Sequence, residues 1–537
     1  MAAGAIPVAL PPLPTAWLAG RDADLLAPLR LARGVADVDT PPTAPDRSDL
    51  AEGLARANRS YGHPRAAELA ARLADPAARV VVTGQQPGLF GGPLLTLLKM
   101  TAAARWAERL ERAGGGPAVA VFWVATEDHD WDEAAWAGVW ASDGLRRLEL
   151  GPDPEPLAPL GMRTLGPGVA AALAELAAMF PYEPYASWIA TLGRWYRPDA
   201  RFGEAFSRLA VGLLGERAPL LLDAQLPELK AAQRPHLARL VERREGVEAA
   251  LAARAEAVTA RGYPLQVSPQ PGTAPLFVLA GAERRRVVWR DGGWTLRGGE
   301  GPDGGPRPLA ELEALVADNP AAASPNVLSR PALQDAVLGT ALQVMGPAEL
   351  SYLAQAAPLY EVLGVRAPAV ALRPRALVVE ERQLQALAEL DLTPDALLRG
   401  EAELERALAA RQAGDAIGPA AARILAEVDA LRAGALAADP NLERPWEKTR
   451  ETVRGALEKL GEKVTRAEAQ RDQVAHRRLL ALREQWLPGG VLHERVLAAA
   501  HFRGRYGEAF VEKLWEELDV EQTGVQLLRM KADGVSG

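Results

Sequence analysis

The sequence predicts an α/β protein with a parallel-sheet core followed by a helical C-terminal part, on three observations. The first is a strand–turn–helix–strand unit between Val80 and Asp130. A β-branched run at Val80 to Thr83 enters a turn rich in Gly and Gln. Pro93 then opens a helix with Leu95, Leu98, Ala102, Trp106 and Leu110 at helical spacing, and the apolar run Ala118 to Ala125 reads as a strand buried on both faces. The second is a pair of further apolar runs, Pro219 to Asp223, which ends in a carboxylate, and Ala369 to Leu372, which leads into Arg373-Pro374-Arg375. The third is a shift past Leu377 to Ala, Leu, Glu and Arg in long helical patterns.

Right-handed crossover makes the two strands of the first unit parallel. Gly84-Gln85-Gln86 and Glu127-Asp128-His129-Asp130 then both emerge at carboxyl ends of strands, where open α/β sheets bind ligands. Upstream, a Pro-rich entry leads to a helix from about Ser48, with Ser48 as its cap. Downstream, a polar and Pro-rich stretch runs to about Gly168. Helices follow around Ala170 to Met179 and Ser187 to Arg194, amid aromatics from Phe180 to Phe206 that read as core filling. Between Phe277 and Arg297 the period becomes that of short strands, and Asp291-Gly292-Gly293 gives hairpin chemistry, so a small antiparallel insertion is expected.

Residues 1–376 are expected to form the core, 377–490 a helical arm and 491–537 a C-terminal helical segment. In the arm, Val453, Leu457, Leu460, Val464, Ala467 and Val474 recur at steps of four and three, with Arg471 as the polar exception. A helix over Gly418 to Ala438 folds back on one over Pro445 to Gln485 through Asp439-Pro440-Asn441, an antiparallel coiled coil.

The 537 residues exceed one core, and 48% hydrophobic with 24% charged residues is ordinary globular composition. A net charge of −8 argues against a nucleic-acid partner, and no apolar run approaches the ~20 residues of a membrane span. With no secretory pattern at the N-terminus, a cytoplasmic location is expected. The absence of cysteine excludes thiolate nucleophiles, disulfides and Cys-ligated metals.

Three clusters can carry chemistry. The turn, with Thr83, Gly84, Gln85, Gln86, Gly88 and Gly92, can offer N–H groups beside a helix N-terminus, a place for phosphate or carboxylate, although it matches neither established nucleotide fingerprint. Lys99, two turns into the helix, joins that cluster or is simply solvated. Glu127, Asp128, His129 and Asp130 suit general acid–base work, with His129 the favoured histidine; the competing reading is a helix N-cap. If the segment is extended, Glu127 and His129 face one side, Asp128 and Asp130 the other. The third cluster joins Asn326, Arg330, Gln334, Gly346, Glu349, Tyr352 and Gln355; Asn326 and Arg330 offer donors suited to a carboxylate, but polar residues at this spacing more often coat a solvated helix face.

The stretches VVTGQQPGLFGGPLLTLLK, VFWVATEDHDWDE, SPNVLSRPALQD, MGPAELSYLAQ and LHERVLAAAHFRGRYGEAF resemble the BshC family, the cysteine ligase of bacillithiol biosynthesis. They sample nearly the whole chain. Trp131 stands where phenylalanine is more usual, and Leu97-Leu98 replaces a more polar or aromatic pair. The resemblance implies a Rossmann-like core with inserted segments, a C-terminal coiled-coil domain and a homodimer. It also implies that L-cysteine is joined to glucosaminyl malate. A carboxylate is a poor electrophile at pH 7, so activation by ATP with Mg is expected, with the TGQQ turn near phosphates. His129 or Asp128 would take the amine proton, and Arg330 or Arg373 would hold a carboxylate. No resident metal is expected. The rival readings are a metal-dependent hydrolase at Glu127 to Asp130 and a non-enzymatic coiled-coil scaffold.

Overall fold

The computed structural model describes residues 6, 8–39, 44–268, 270–297, 306–390, 392–406, 417–469 and 473–531. It divides into two compact units, one formed by residues 1–377 and 493–528, the other by 378–492 and 529–531.

Twelve strands of the first unit, numbered in chain order, are β1 (Arg30–Leu31), β2 (Arg79–Gln85), β3 (Ala118–Val124), β4 (Trp136–Ala141), β5 (Gly144–Glu149), β6 (Leu220–Asp223), β7 (Thr273–Ala280), β8 (Glu283–Arg290), β9 (Gly293–Leu296), β10 (Ala323–Pro325), β11 (Thr340–Met345) and β12 (Ala369–Leu372). Six form one sheet in the order β1-β12-β11-β2-β3-β6, every pair parallel. This is the Rossmann-like core. Alternation along β2 sorts its side chains between two layers. Val80 and Val82 pack with Trp123, Leu222 and the helices Ser48–Tyr61 and Ala66–Ala74; Val81 packs with Ala120, Leu342 and the helix Leu94–Arg112. Strands β3 and β12 are buried along their whole length, as apolar runs covered on both faces must be, and so is β11 with its Thr340 and Gln343.

From β2 the chain moves to β3 on one side, while β11 lies on the other. The strand order therefore reverses at the β2–β11 boundary, leaving a crevice at their carboxyl ends. Two insertions accompany the sheet. The expected antiparallel segment is a four-stranded sheet, β10-β7-β8-β9, larger than the reading over Phe277 to Arg297 because Thr273 starts its first strand and β10 joins it from downstream. The stretch read as polar and Pro-rich contains the hairpin β4–β5, whose inward Ala137 and Val139 are too few for a sequence period to reveal. Ser48 is the first residue of its helix rather than the cap. Its N–H and hydroxyl both donate to Asp46 Oδ1, at 3.0 and 2.7 Å.

In the second unit, the helix Gly418–Ala438 turns through Pro440–Leu442 into Glu443–Ala469, and Gln473–Trp486 follows. Trp446 Nε1 donates to Val428 O, and Arg450 and Arg432 pair with Asp429 and Glu443 across the two antiparallel helices. Val453, Leu457 and Val464 are half-buried, Ala467 is exposed, and Leu460 is 50% exposed. Arg471 and the Val474 side chain lie outside the described residues. Among the described residues, no helix is long and apolar enough to cross a membrane.

Candidate active site

The crevice opens into a cavity of about 860 Å³. It gathers Gly84, Gln85, Gln86, Gly92, Lys99, Glu127, Asp128, His129, Asn326, Arg330, Gly346, Glu349, Tyr352, Gln355 and Arg373, while Thr83, Gly88, Asp130 and Gln334 do not line it. Two glycines are required by close approach. A Cβ on Gly84 would lie 2.9 Å from the Trp123 carbonyl oxygen, and one on Gly88 2.6 Å from Gly92 Cα. Thr83 Oγ1 donates to Val344 O at 2.8 Å, tying β2 to β11 at the crevice floor.

Lys99 is not solvated; it is 1% exposed. Its ammonium donates to Gly84 O and Gln85 Oε1, each at 2.8 Å, and pairs with Glu349 Oε2 at 2.6 Å. Burial pulls the Lys99 pKa below its ordinary value, and Glu349 opposes that pull. Burial would raise Glu349, but Lys99 and the Gly346 N–H outweigh it and hold the carboxylate below its usual range. The helix bearing Glu349 is likewise no solvated face: Pro347–Ala356 packs into the core, and Gln355 spends its amide on Gln266 N, Val267 N and Val267 O, pinning an inserted loop.

Part of the expected anion cradle at the turn is used by the fold itself. Gly91 N–H donates to Gly88 O and Tyr196 Oη, Gly92 N–H to Leu89 O, and Thr96 N–H to Pro93 O. Leu94 N–H donates to Leu497 O at 2.8 Å, so a C-terminal segment caps the helix start. These four donors serve the fold and are not free for a phosphate.

The run from Glu127 to Asp130 is not extended. Thr126 N–H turns back to Val124 O and Asp128 N–H to Ala125 O, which splits the four side chains. Glu127 is buried against Lys230 at 3.0 Å. Asp130 caps the short helix Trp131–Ala134 by accepting from Glu133 N–H at 3.0 Å. Asp128 accepts from the Gln86 amide and lies 3.6 Å from Arg284 Nη1. His129 Nδ1 is buried, 3.8 Å from Asp128 Oδ1, and among the described residues has no hydrogen-bond partner; nor has Gln86 Oε1. Burial, then Arg284, pushes the His129 pKa down, so the imidazole is neutral at pH 7. With Glu127 and Asp130 committed elsewhere, the four do not converge as a metal-binding set would, and no group of three or more His, Asp and Glu among the described residues does.

Arg330 donates to Gln334 Oε1 at 2.8 Å and to Tyr352 Oη at 3.2 Å, both uncharged. Arg373, by contrast, is neutralised by the buried Glu494 at 2.6 Å. Asn326 Oδ1 accepts from the Leu328 and Ser329 N–H groups and shapes the turn into the Arg330–Leu338 helix. Arg284 and Arg286 escaped the sequence reading, because in a strand such residues read as a solvated face. Arg284 is buried, donates to Ser324 Oγ and Pro325 O, and lies 3.9 Å above the Phe277 ring. Glu494 also escaped it, although its LHER context was visible.

The match to known proteins runs through the same elements. A family model for the N-terminal Rossmann-like domain of the bacillithiol biosynthesis protein BshC matches residues 34–374, and one for its C-terminal coiled-coil domain matches 376–530. The chain belongs to the BshC family. Its relatives include a protein of Solibacter usitatus, 30% identical over 84% of this chain and 84% of its own length. Two more come from different strains of Thermus thermophilus. One is 34% identical over 81% of this chain and 86% of its own length, the other 33% identical over 87% and 95%. All three bear the name "Putative cysteine ligase BshC". Family membership supports a role in bacillithiol biosynthesis.

Proposed function

We propose that this BshC-family chain is a ligase forming the amide bond between L-cysteine and glucosaminyl malate, the cysteine carboxylate being activated with ATP and Mg. The observation that carries the chemistry is His129: a neutral imidazole whose buried Nδ1 has no partner among the described residues, beside Asp128, in a cavity that also holds Arg330. As the sugar amine attacks the activated acyl carbon, the C–N bond forms. The leaving group departs with the electron pair of its C–O bond, and the amine proton passes to His129. Arg330, whose partners are both uncharged, keeps its charge available for a substrate carboxylate. Arg373 is better suited to holding Glu494, which also accepts from Ala376 N–H at 2.8 Å. Arg284 and Arg286 add positive charge to the cavity lining and suit the anionic activating group. The reading includes a homodimer, supported by the apolar side chains that the arm leaves exposed at Ile424, Leu431 and Leu460.

The test is mass spectrometry of the purified protein with cysteine and glucosaminyl malate, with and without Mg-ATP. Bacillithiol with AMP indicates an adenylate, and with ADP an acyl phosphate. Product without nucleotide removes ATP from the proposal, and no product under any condition removes the ligase activity of the isolated chain.

A further inference from the structure

Behind Arg330 lies a buried polar cluster that the reaction above does not use. Gln334 Nε2 donates to Asp335 Oδ1 at 3.2 Å, while Asp335 Oδ2 accepts from Tyr360 Oη at 2.6 Å and from the Gln343 amide. All four side chains are nearly inaccessible to solvent. The cluster reaches the cavity through the bond from Arg330 Nη1 to Gln334 Oε1.

The chemistry of its ends dictates how the middle must point. A guanidinium only donates and an ionised carboxylate only accepts. Burial pushes Asp335 up to about 6, so at pH 8 it is ionised. Gln334 must therefore turn its NH2 toward Asp335 and its oxygen toward Arg330. We infer that Asp335 is a positioning residue, which through the amide of Gln334 fixes the Arg330 guanidinium for a substrate carboxylate. This rests on the ligand role given to Arg330 above.

The substitution Asp335→Asn tests it by reversing one end. Gln334, Tyr360 and Gln343 donate to the two carboxylate oxygens and the Thr340 hydroxyl is also directed at the carboxylate, whereas the new amide keeps only one acceptor. Two of the donors, Tyr360 and Gln343, meet at the Oδ2 side and retain it. The new NH2 then faces Gln334, whose amide flips and turns its own NH2 on Arg330, donor against donor.

Calorimetry of glucosaminyl malate binding at pH 8 should show affinity about tenfold weaker in Asp335→Asn, the scale of one hydrogen bond to a charged group. In an Arg330→Ala background the same change should add less than about twofold, since the coupling runs through the guanidinium. Additive losses, or unchanged affinity, overturn the inference; a merely structural Asp335 gives the same loss with and without Arg330. Should Asp335→Asn fail to fold, Gln334→Leu enters the same cycle. A crystal structure of the variant separates this inference from the substrate assignment. If the wild-type protein binds no glucosaminyl malate, that assignment fails, and the guanidinium decides the rest: displaced from Gln334 it supports the positioning role, unmoved it overturns it.

Discussion

Two walls of the cavity differ in how their charges are answered. Where the helix Leu94–Arg112 faces Pro347–Ala356, Lys99 is satisfied by Glu349, Gly84 and Gln85, and nearby Arg373 is closed by Glu494. Elsewhere in the cavity lining, His129 Nδ1 and Gln86 Oε1 are buried without partners among the described residues. An orphaned buried polar atom costs ~1–3 kcal/mol, so a fold tolerates it where something else supplies the partner. The closed wall is a product of folding; under the function proposed above, the open wall is where a ligand supplies the missing partner.

The sharpest way to break this contrast is at the open wall. His129→Ala should lower bacillithiol formation ~100-fold or more, the scale of general-base catalysis, while thermal unfolding moves little. Because burial and Arg284 depress the His129 pKa, its basic form dominates at neutral pH. The wild-type rate should therefore hold above pH 6.5 and fall only as the pH drops through that lowered pKa. A variant that retains the same acidic limb would show that another group is the base.

The closed wall should respond in stability. Lys99→Met strands Glu349, and Glu349→Leu strands Lys99. Breaking a buried pair from one side costs ~3–5 kcal/mol, readable in urea denaturation, whereas Lys99→Met with Glu349→Leu should recover most of the loss. If the single variants unfolded at wild-type urea concentrations, the two walls would not differ as argued.

The contrast was only partly legible in the sequence. Strands such as Ala118–Val124 announce themselves because burial on both faces leaves an unbroken apolar run, and the position of Glu127 to Asp130 at a strand end follows from it. Which of the four faces the cavity does not follow, since the turn at Ala125 and Thr126 overrides the alternation of an extended chain. Lys99 reads as a surface lysine because its partner Glu349 lies 250 positions away in the sequence. Arg284 was hidden for the same reason: the groups that bury it, Phe277, Ser324 and Pro325, come from other strands. Backbone periodicity is local information, and the pairing of charges is not.

The smallest expected effect is also the finest division of the motif. Asp130 sits one residue from His129 and shares its charged surroundings, yet its carboxylate is engaged by Glu133 N–H at the start of a four-residue helix. Removing an N-cap of this kind costs ~1 kcal/mol. Asp130→Ala should therefore lower stability by about that amount in urea titration and leave bacillithiol formation within roughly threefold. A loss of activity matching His129→Ala, with stability unchanged, would place Asp130 on the open wall. The division of the four residues would then have to be redrawn, because the helix cap and the proton acceptor would no longer be separate functions.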